Sequence, residues 1–319
     1  MRATSMIAEF VAKSRWEDCP AEAVDAARRA ILDSLGVMLA GSVEPAARIV
    51  TEIARSEGGA PLATVVGTSL RTGAVWAALA NGTAAHALDF DDTNFAMMGH
   101  PSAPVLSAGL AAGELALCDG RALVHAFLLG FEVETTLAEV MNPPHYEKGF
   151  HATGTLGTMG AAAAAARLLG LDAQQTRAAL AVAASQASGL KENFGTMTKP
   201  FHAGAAARSG VLSALLAREG FTASEQALEG PQGYLAVLGA GKREESALET
   251  LGAPWKILKT GVAVKPYPGV PLSMDQLRGK FRDCARIVLP EDRVEFVREM
   301  VEGLDGCPDL RSLTAILGR

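Results

Sequence analysis

Apolar residues recur at helical spacing along almost the whole of this chain. In Ala21–Ala40, the positions Val24, Ala27, Ile31, Leu32, Leu35 and Leu39 fall on one face, the three-to-four-residue rhythm of a packed helix. Gly41 follows, where a left-handed cap is expected to close the helix. The same rhythm predicts helices over Ser5–Ser14, Glu44–Arg55, Ala74–Ala87, Ala103–Leu117 and Gly120–Met141. Leu156–Leu169 and Ala173–Ser188 read as a helical hairpin around Gly170-Leu171-Asp172, with Asp172 as candidate N-cap. Ala203–Glu219 is another helix. Ser273–Leu317 is helical too, opened by a Ser273/Gln276 capping box and broken at Pro290 and Pro308. Extended patterns are few: Ala63–Val66 early, and Trp255–Leu258 and Val262–Val264 late. The expectation is an all-α fold, a multi-helix bundle without internal repeats or low-complexity linkers.

Composition sharpens this. Hydrophobic residues make up 49% of the 319 positions, but aromatics only 5%, so Ala, Leu, Val and Gly carry the core and favour close-packed helices over a β-sandwich. A net charge of −6 without a basic cluster argues against nucleic acid and anionic membrane surfaces. The longest apolar run, Gly154–Ala166, is too short to span a bilayer. The N-terminus has no signal-peptide core, and the four scattered cysteines read as reduced thiols. A cytoplasmic, soluble protein is expected.

Three polar, irregular segments interrupt the helices. The first, His86–His100 (HALDFDDTNFAMMGH), places Asp89, Asp91 and Asp92 just after an apolar helix. Carboxylates there oppose the macrodipole at about 0.3–1 kcal/mol each, and a broken local rule marks a candidate site. Capping of the next helix by Asp91 or Asp92 is the plainer reading. The second segment surrounds His151, and the third surrounds Lys199. Together with Lys265 they offer a carboxylate, two imidazoles and two ammonium groups. Fixed cations suit a small polycarboxylate, and an imidazole can carry a proton near neutral pH. Thr93, four residues after Asp89, shares its face if that turn is helical. The other histidines have duller readings: His86 and His125 as structural helix residues, His145 as an exposed loop residue, His202 as a partner of a helix N-terminus. DDTNF ends in Phe95 where a magnesium-binding aspartate motif needs an acid, and no GxSxG, P-loop, HExxH or GxGxxG is present.

HALDFDDTNFAMMGHPSAPVLSAGLAAGE, KGFHATGTLGTMGAAAAAARLLGLD, NFGTMTKPFHAGAAARSG and VAVKPYP, in that order, together resemble the MmgE/PrpD family of lyases and isomerases. That family includes 2-methylcitrate dehydratases, cis-aconitate decarboxylases and iminodisuccinate epimerases, and the TMTKPFHAG form resembles the last two branches more. The likeness runs to about Pro268 and resumes over Pro271–Asp283. It implies a helical domain, a homodimer, no metal or organic cofactor, and a small polycarboxylate substrate. Carried over by position, it implies His151 as acid/base assisted by Lys199, with Asp89 orienting an imidazole or joining proton transfer. Thr93, His100 and Lys265 would hold carboxylates. It also implies an α+β lid directly after KPYP; here Pro268-Gly269-Val270-Pro271 joins the flanking motifs directly. The expected organisation is therefore a helical domain over residues 1–268 and C-terminal helices over 269–319 returning to it, the lid absent at residues 268–271. A lidless member that only binds ligand or dimerises is the alternative reading.

Overall fold

The computed structural model describes residues 2–239, 245–259 and 272–318. Helix α1 is Ala3–Lys13, α2 Ala21–Gly41 and α3 Pro45–Glu57. A short antiparallel ribbon pairs β1 (Ala63–Thr64) with β2 (Arg71–Thr72). Next come α4 (Ala74–His86), α5 (Ser102–Ala116) and α6 (Gly120–Met141), then the single turn α7 (Pro144–Glu147). Helices α8 (Ala152–Leu168), α9 (Ala173–Ala184) and α10 (Thr198–Arg218) complete the centre. The short helices α11 (Tyr234–Leu238) and α12 (Lys256–Lys259) precede α13 (Met274–Ala285), α14 (Glu291–Glu302) and α15 (Leu310–Leu317). The all-α expectation holds. Among the described residues no single helix is long and apolar enough to cross a membrane.

The centre of the bundle is α4, α5, α8 and α10 packed side by side. Every residue from Ala152 to Ala166 in α8 is buried, and so is nearly all of α4. Such helices are apolar all round because each is enclosed by neighbours, and small side chains let the axes approach. Helices α4 and α10 approach closely: a Cβ on Gly82 would lie 2.7 Å from the Gly204 Cα, and one on Gly204 would lie 2.3 Å from the Leu79 carbonyl oxygen. That contact lies one turn before His86 and two residues after His202.

Gly41 departs from expectation. It stays inside α2, and a Cβ there would lie 2.0 Å from the Ala84 carbonyl oxygen, so the glycine serves a helix crossing and not a left-handed cap. Trp255–Leu258 is not a strand, and Lys256–Lys259 is a helical turn. That turn lets the buried Glu132 accept hydrogen bonds from the backbone N–H of both Gly252 (2.9 Å) and Lys256 (2.6 Å). Asp172 and Ser273 do cap their helices, each in a reciprocal capping box.

After the segment 260–271, α13 packs on α2. There the Lys280 ammonium lies 2.6 Å from the buried Asp33 carboxylate and donates to the Phe90 carbonyl at 2.7 Å. The loop carrying Asp89 is thereby tied to the C-terminal helices. Burial raises Asp33 to about 7 against the pull of Lys280. The Val262–Val264 strand, Lys265 and the 268–271 junction lie outside the described residues.

Candidate active site

Three helix starts meet at the interrupted segments. His100 lies two residues before α5, His151 is the N-cap residue of α8, and Lys199 is the second residue of α10. Helix N-termini present unpaired N–H groups and partial positive charge, which favours anions. The segments are stitched together: His100 N–H donates to Thr153 Oγ1 at 3.0 Å, and His151 N–H donates to the Gly189 carbonyl at 3.0 Å. Asp92 performs the capping role, accepting from both the backbone N–H and the hydroxyl of Ser102 at the start of α5. Asp91 does not cap. It sits within 2.9 and 3.0 Å of His86 Nδ1 and 3.3 Å from His100 Nδ1.

Asp89 turns outward. Its backbone adopts a left-handed φ of 50°, and its side chain is 52% exposed. That unusual conformation, uncommon outside glycine, asparagine and aspartate, delivers the carboxylate to an ammonium group and an imidazole at once. Lys199 Nζ lies 2.8 Å from Asp89 Oδ1, and His100 Nε2 lies 3.4 Å from the same oxygen. Behind them the imidazoles form a continuous array. His100 and His86 have ring centroids 4.3 Å apart, His86 stacks on His151 at 5.8 Å, and His151 meets His202 at 5.2 Å. Phe194 packs edge-on against His151 and carries Lys199 Nζ 5.3 Å from its ring centre. Thr93 is half-buried on the same segment as Asp89.

The electrostatics follow from burial. Desolvation alone would raise Asp91, but His100 and His86, through charge and hydrogen bonds, hold it well below the usual carboxylate range. Burial pushes His86 down against the attraction of Asp91. His151 is pushed down to about 2, first by burial and then by His86, His202, His100 and Lys199. It is therefore a neutral imidazole at ordinary pH, able to accept or relay a proton but strongly resisting a resident charge. Ligand atoms of His86, Asp89, Asp91 and His100 all lie within 4.8 Å of one another, the spacing of a cation site. Lys199 already supplies positive charge at Asp89, and both imidazoles lie against Asp91.

Of the residues expected from the sequence, Asp89, His100, His151 and Lys199 converge, Thr93 is half-buried on the segment that carries Asp89, and Lys265 is outside the described residues. Two members were missed. His86 bridges His100 and His151 instead of serving the helix core alone, and His202 faces His151 across 3.0 Å between their Nδ1 atoms. The available signals were the five-residue step from His86 to Asp91 and the three-residue step from Lys199 to His202, one helical turn. Lys199 itself is helical, although its segment reads as irregular from the sequence; the Pro200 that follows it is tolerated in a first turn. His145 is buried, not exposed: Nδ1 bonds the Leu238 carbonyl at 2.9 Å and Nε2 bonds Thr155 Oγ1 at 2.7 Å. His125 keeps its structural reading, bonded to Ser14.

Residues 5–246 match the MmgE/PrpD N-terminal domain. The chain is 32% identical over 252 residues to a cis-aconitate decarboxylase of Homo sapiens, covering 77% of this chain and 52% of that protein. It is 35% identical over 248 residues to the Mus musculus cis-aconitate decarboxylase, covering 76% and 50%. A cis-aconitate decarboxylase-like protein, oryM, of Aspergillus oryzae is 27% identical over 350 aligned positions, 99% of this chain and 70% of that protein. The chain spans about half the length of the two mammalian relatives.

Proposed function

The chain belongs to the MmgE/PrpD family, and from that premise we propose that it is a cofactor-independent lyase acting on a small di- or tricarboxylate. Decarboxylation of an unsaturated tricarboxylate such as cis-aconitate is the reaction favoured by its relatives. The observation that carries the reading is the Asp89–Lys199–His100 contact beside a neutral, buried His151. Loss of carbon dioxide leaves the electron pair of the broken C–C bond in the substrate and needs a proton delivered to carbon. Dehydration or epimerisation needs one removed. The same imidazole serves either direction.

His151 is the proton-transfer residue. Lys199 and His100 bind a substrate carboxylate, which competes with Asp89 for the same two groups, and Thr93 joins that anion site, a role the family resemblance also implies for Lys265. Asp89 holds Lys199 and His100 in place until the substrate arrives. Negative charge developing on the substrate is then met by groups already oriented towards it. A second reading, ligand binding without turnover, is favoured by the half-exposed Asp89, because open sites weaken electrostatic catalysis.

The test is incubation in D2O with cis-aconitate, citrate, 2-methylcitrate and iminodisuccinate, followed by proton NMR. The expected result is turnover or C–H exchange on at least one acid, abolished by His151→Asn. Thermal shifts with these acids but no exchange on any of them would replace the lyase reading with binding alone.

A further inference from the structure

A base that cannot keep a proton has to hand it on. His151 is such a group, and the structure gives it one neighbour placed to receive. The His151 and His202 rings approach Nδ1 to Nδ1 at 3.0 Å, tilted by 57°. At this separation two lone pairs repel and two N–H groups collide, so the pair holds one hydrogen between them. With His151 Nδ1 engaged by His202, Nε2 is the ring nitrogen that remains to act on substrate. The pair is closely walled: a Cβ on Gly189 would lie 3.4 Å from His151 Cβ and from His202 Nδ1, and one on Gly154 would lie 3.3 Å from His202 Cβ.

We propose that His151 and His202 act as one proton-transfer unit, His202 receiving through Nδ1 the hydrogen that His151 gives up when its Nε2 takes a proton from substrate. The proposal rests on the reading of His151 as the proton-transfer residue. In the step, the C–H bond of the substrate breaks and its electron pair stays on the substrate. The proton joins His151 Nε2, the His151 Nδ1–H bond breaks, and that proton joins His202 Nδ1. His151 ends neutral and His202, protonated on both nitrogens, ends as the imidazolium. Proton delivery to substrate is the reverse.

The surroundings favour this placement of charge. His151 faces His86 from α4, His100 from the segment before α5, and Lys199 and His202 from α10, and all four oppose charge on it. For His202 only burial opposes it. His202 is thus a positioning residue that acts through His151. His86, although stacked on His151, gives its Nδ1 to Asp91 and shares no hydrogen bond with His151.

The test uses the full chain labelled with 15N at histidine, the two rings assigned from His151→Asn and His202→Asn spectra. At pH 7 the hydrogen is expected on Nδ1 of His151, and on acidification His202 is expected to become imidazolium before His151 does. A His151 protonated on Nε2 at pH 7, or charged first, overturns the relay, and this readout decides even if the chain proves inactive. With turnover, His202→Asn keeps a hydrogen-bonding side chain but cannot take the proton. Exchange of substrate C–H should fall about 100-fold or more, with cis-aconitate affinity changed less than threefold. An unchanged exchange rate in His202→Asn sinks the relay but spares His151, whereas an unchanged rate in His151→Asn sinks the acid/base reading itself.

Discussion

Replacing Gly204 by alanine tests whether the α4–α10 approach positions the cluster. Added to the helix interior, the methyl group would lie 2.3 Å from the Leu79 carbonyl oxygen and 2.3 Å from Thr83 Oγ1, so the two helices must separate. Gly→Ala in a helix is otherwise favourable by about 0.5–1 kcal/mol. Gly279 supplies the control: it lies inside α13, and a Cβ there would meet nothing within 4 Å. The conformational gain is common to both sites, so the difference between them isolates the packing cost. Overpacking costs about 1–3 kcal/mol, and a backbone oxygen yields less readily than a side chain. Gly204→Ala is therefore expected to lose about 2 kcal/mol and Gly279→Ala to gain up to about 1 kcal/mol. Urea midpoints at pH 7 measure both, and the loss corresponds to a melting temperature lower by about 3 °C. Because His86 and His202 flank this contact, Gly204→Ala should also weaken polycarboxylate binding. If the two variants are equally stabilised, the close approach does not set the helix spacing and the positioning argument fails.

Asp89→Asn should reduce substrate turnover or exchange about 100-fold while changing stability by less than about 1 kcal/mol, because its ion pair is half-exposed; NMR kinetics and a thermal melt read the two effects separately. His151 has a folded pKa far below its unfolded value of about 6.5, so the unfolded state binds more protons and stability falls as pH drops below about 6.5. Between pH 7 and 5 this amounts to about 1–2 kcal/mol; urea midpoints of His151→Asn should show a shallower pH dependence, and an unchanged slope would refute the assignment. Lys280→Met leaves Asp33 buried without its cation and should cost about 3–5 kcal/mol. Adding Asp33→Leu should restore most of it, and denaturant titration of the single and double variants measures the recovery.

Much of the scaffold was legible in the chain. Helical spacing located α2 to within a residue, and Asp172 with Gln175 and Ser273 with Gln276 marked two helix starts, because capping boxes close over four consecutive residues. Four residues of the candidate site, Asp89, His100, His151 and Lys199, stood out as polar groups where local propensity did not ask for them. Their meeting could not be read locally. Helices such as α4 and α8 are apolar on every side, so periodicity alone does not say which face looks at which neighbour. His86 and His202 looked structural because each sits in or beside a well-formed helix. They join the array only because glycines at 82 and 204 let two backbones nearly touch. His145 looked exposed because two prolines precede it, yet Leu238, far along the chain, covers it. The sequence by itself determined the helices and the chemical groups they carry; the pairings between imidazoles were decided by interhelical distance, a property of side chains packed from remote parts of the chain.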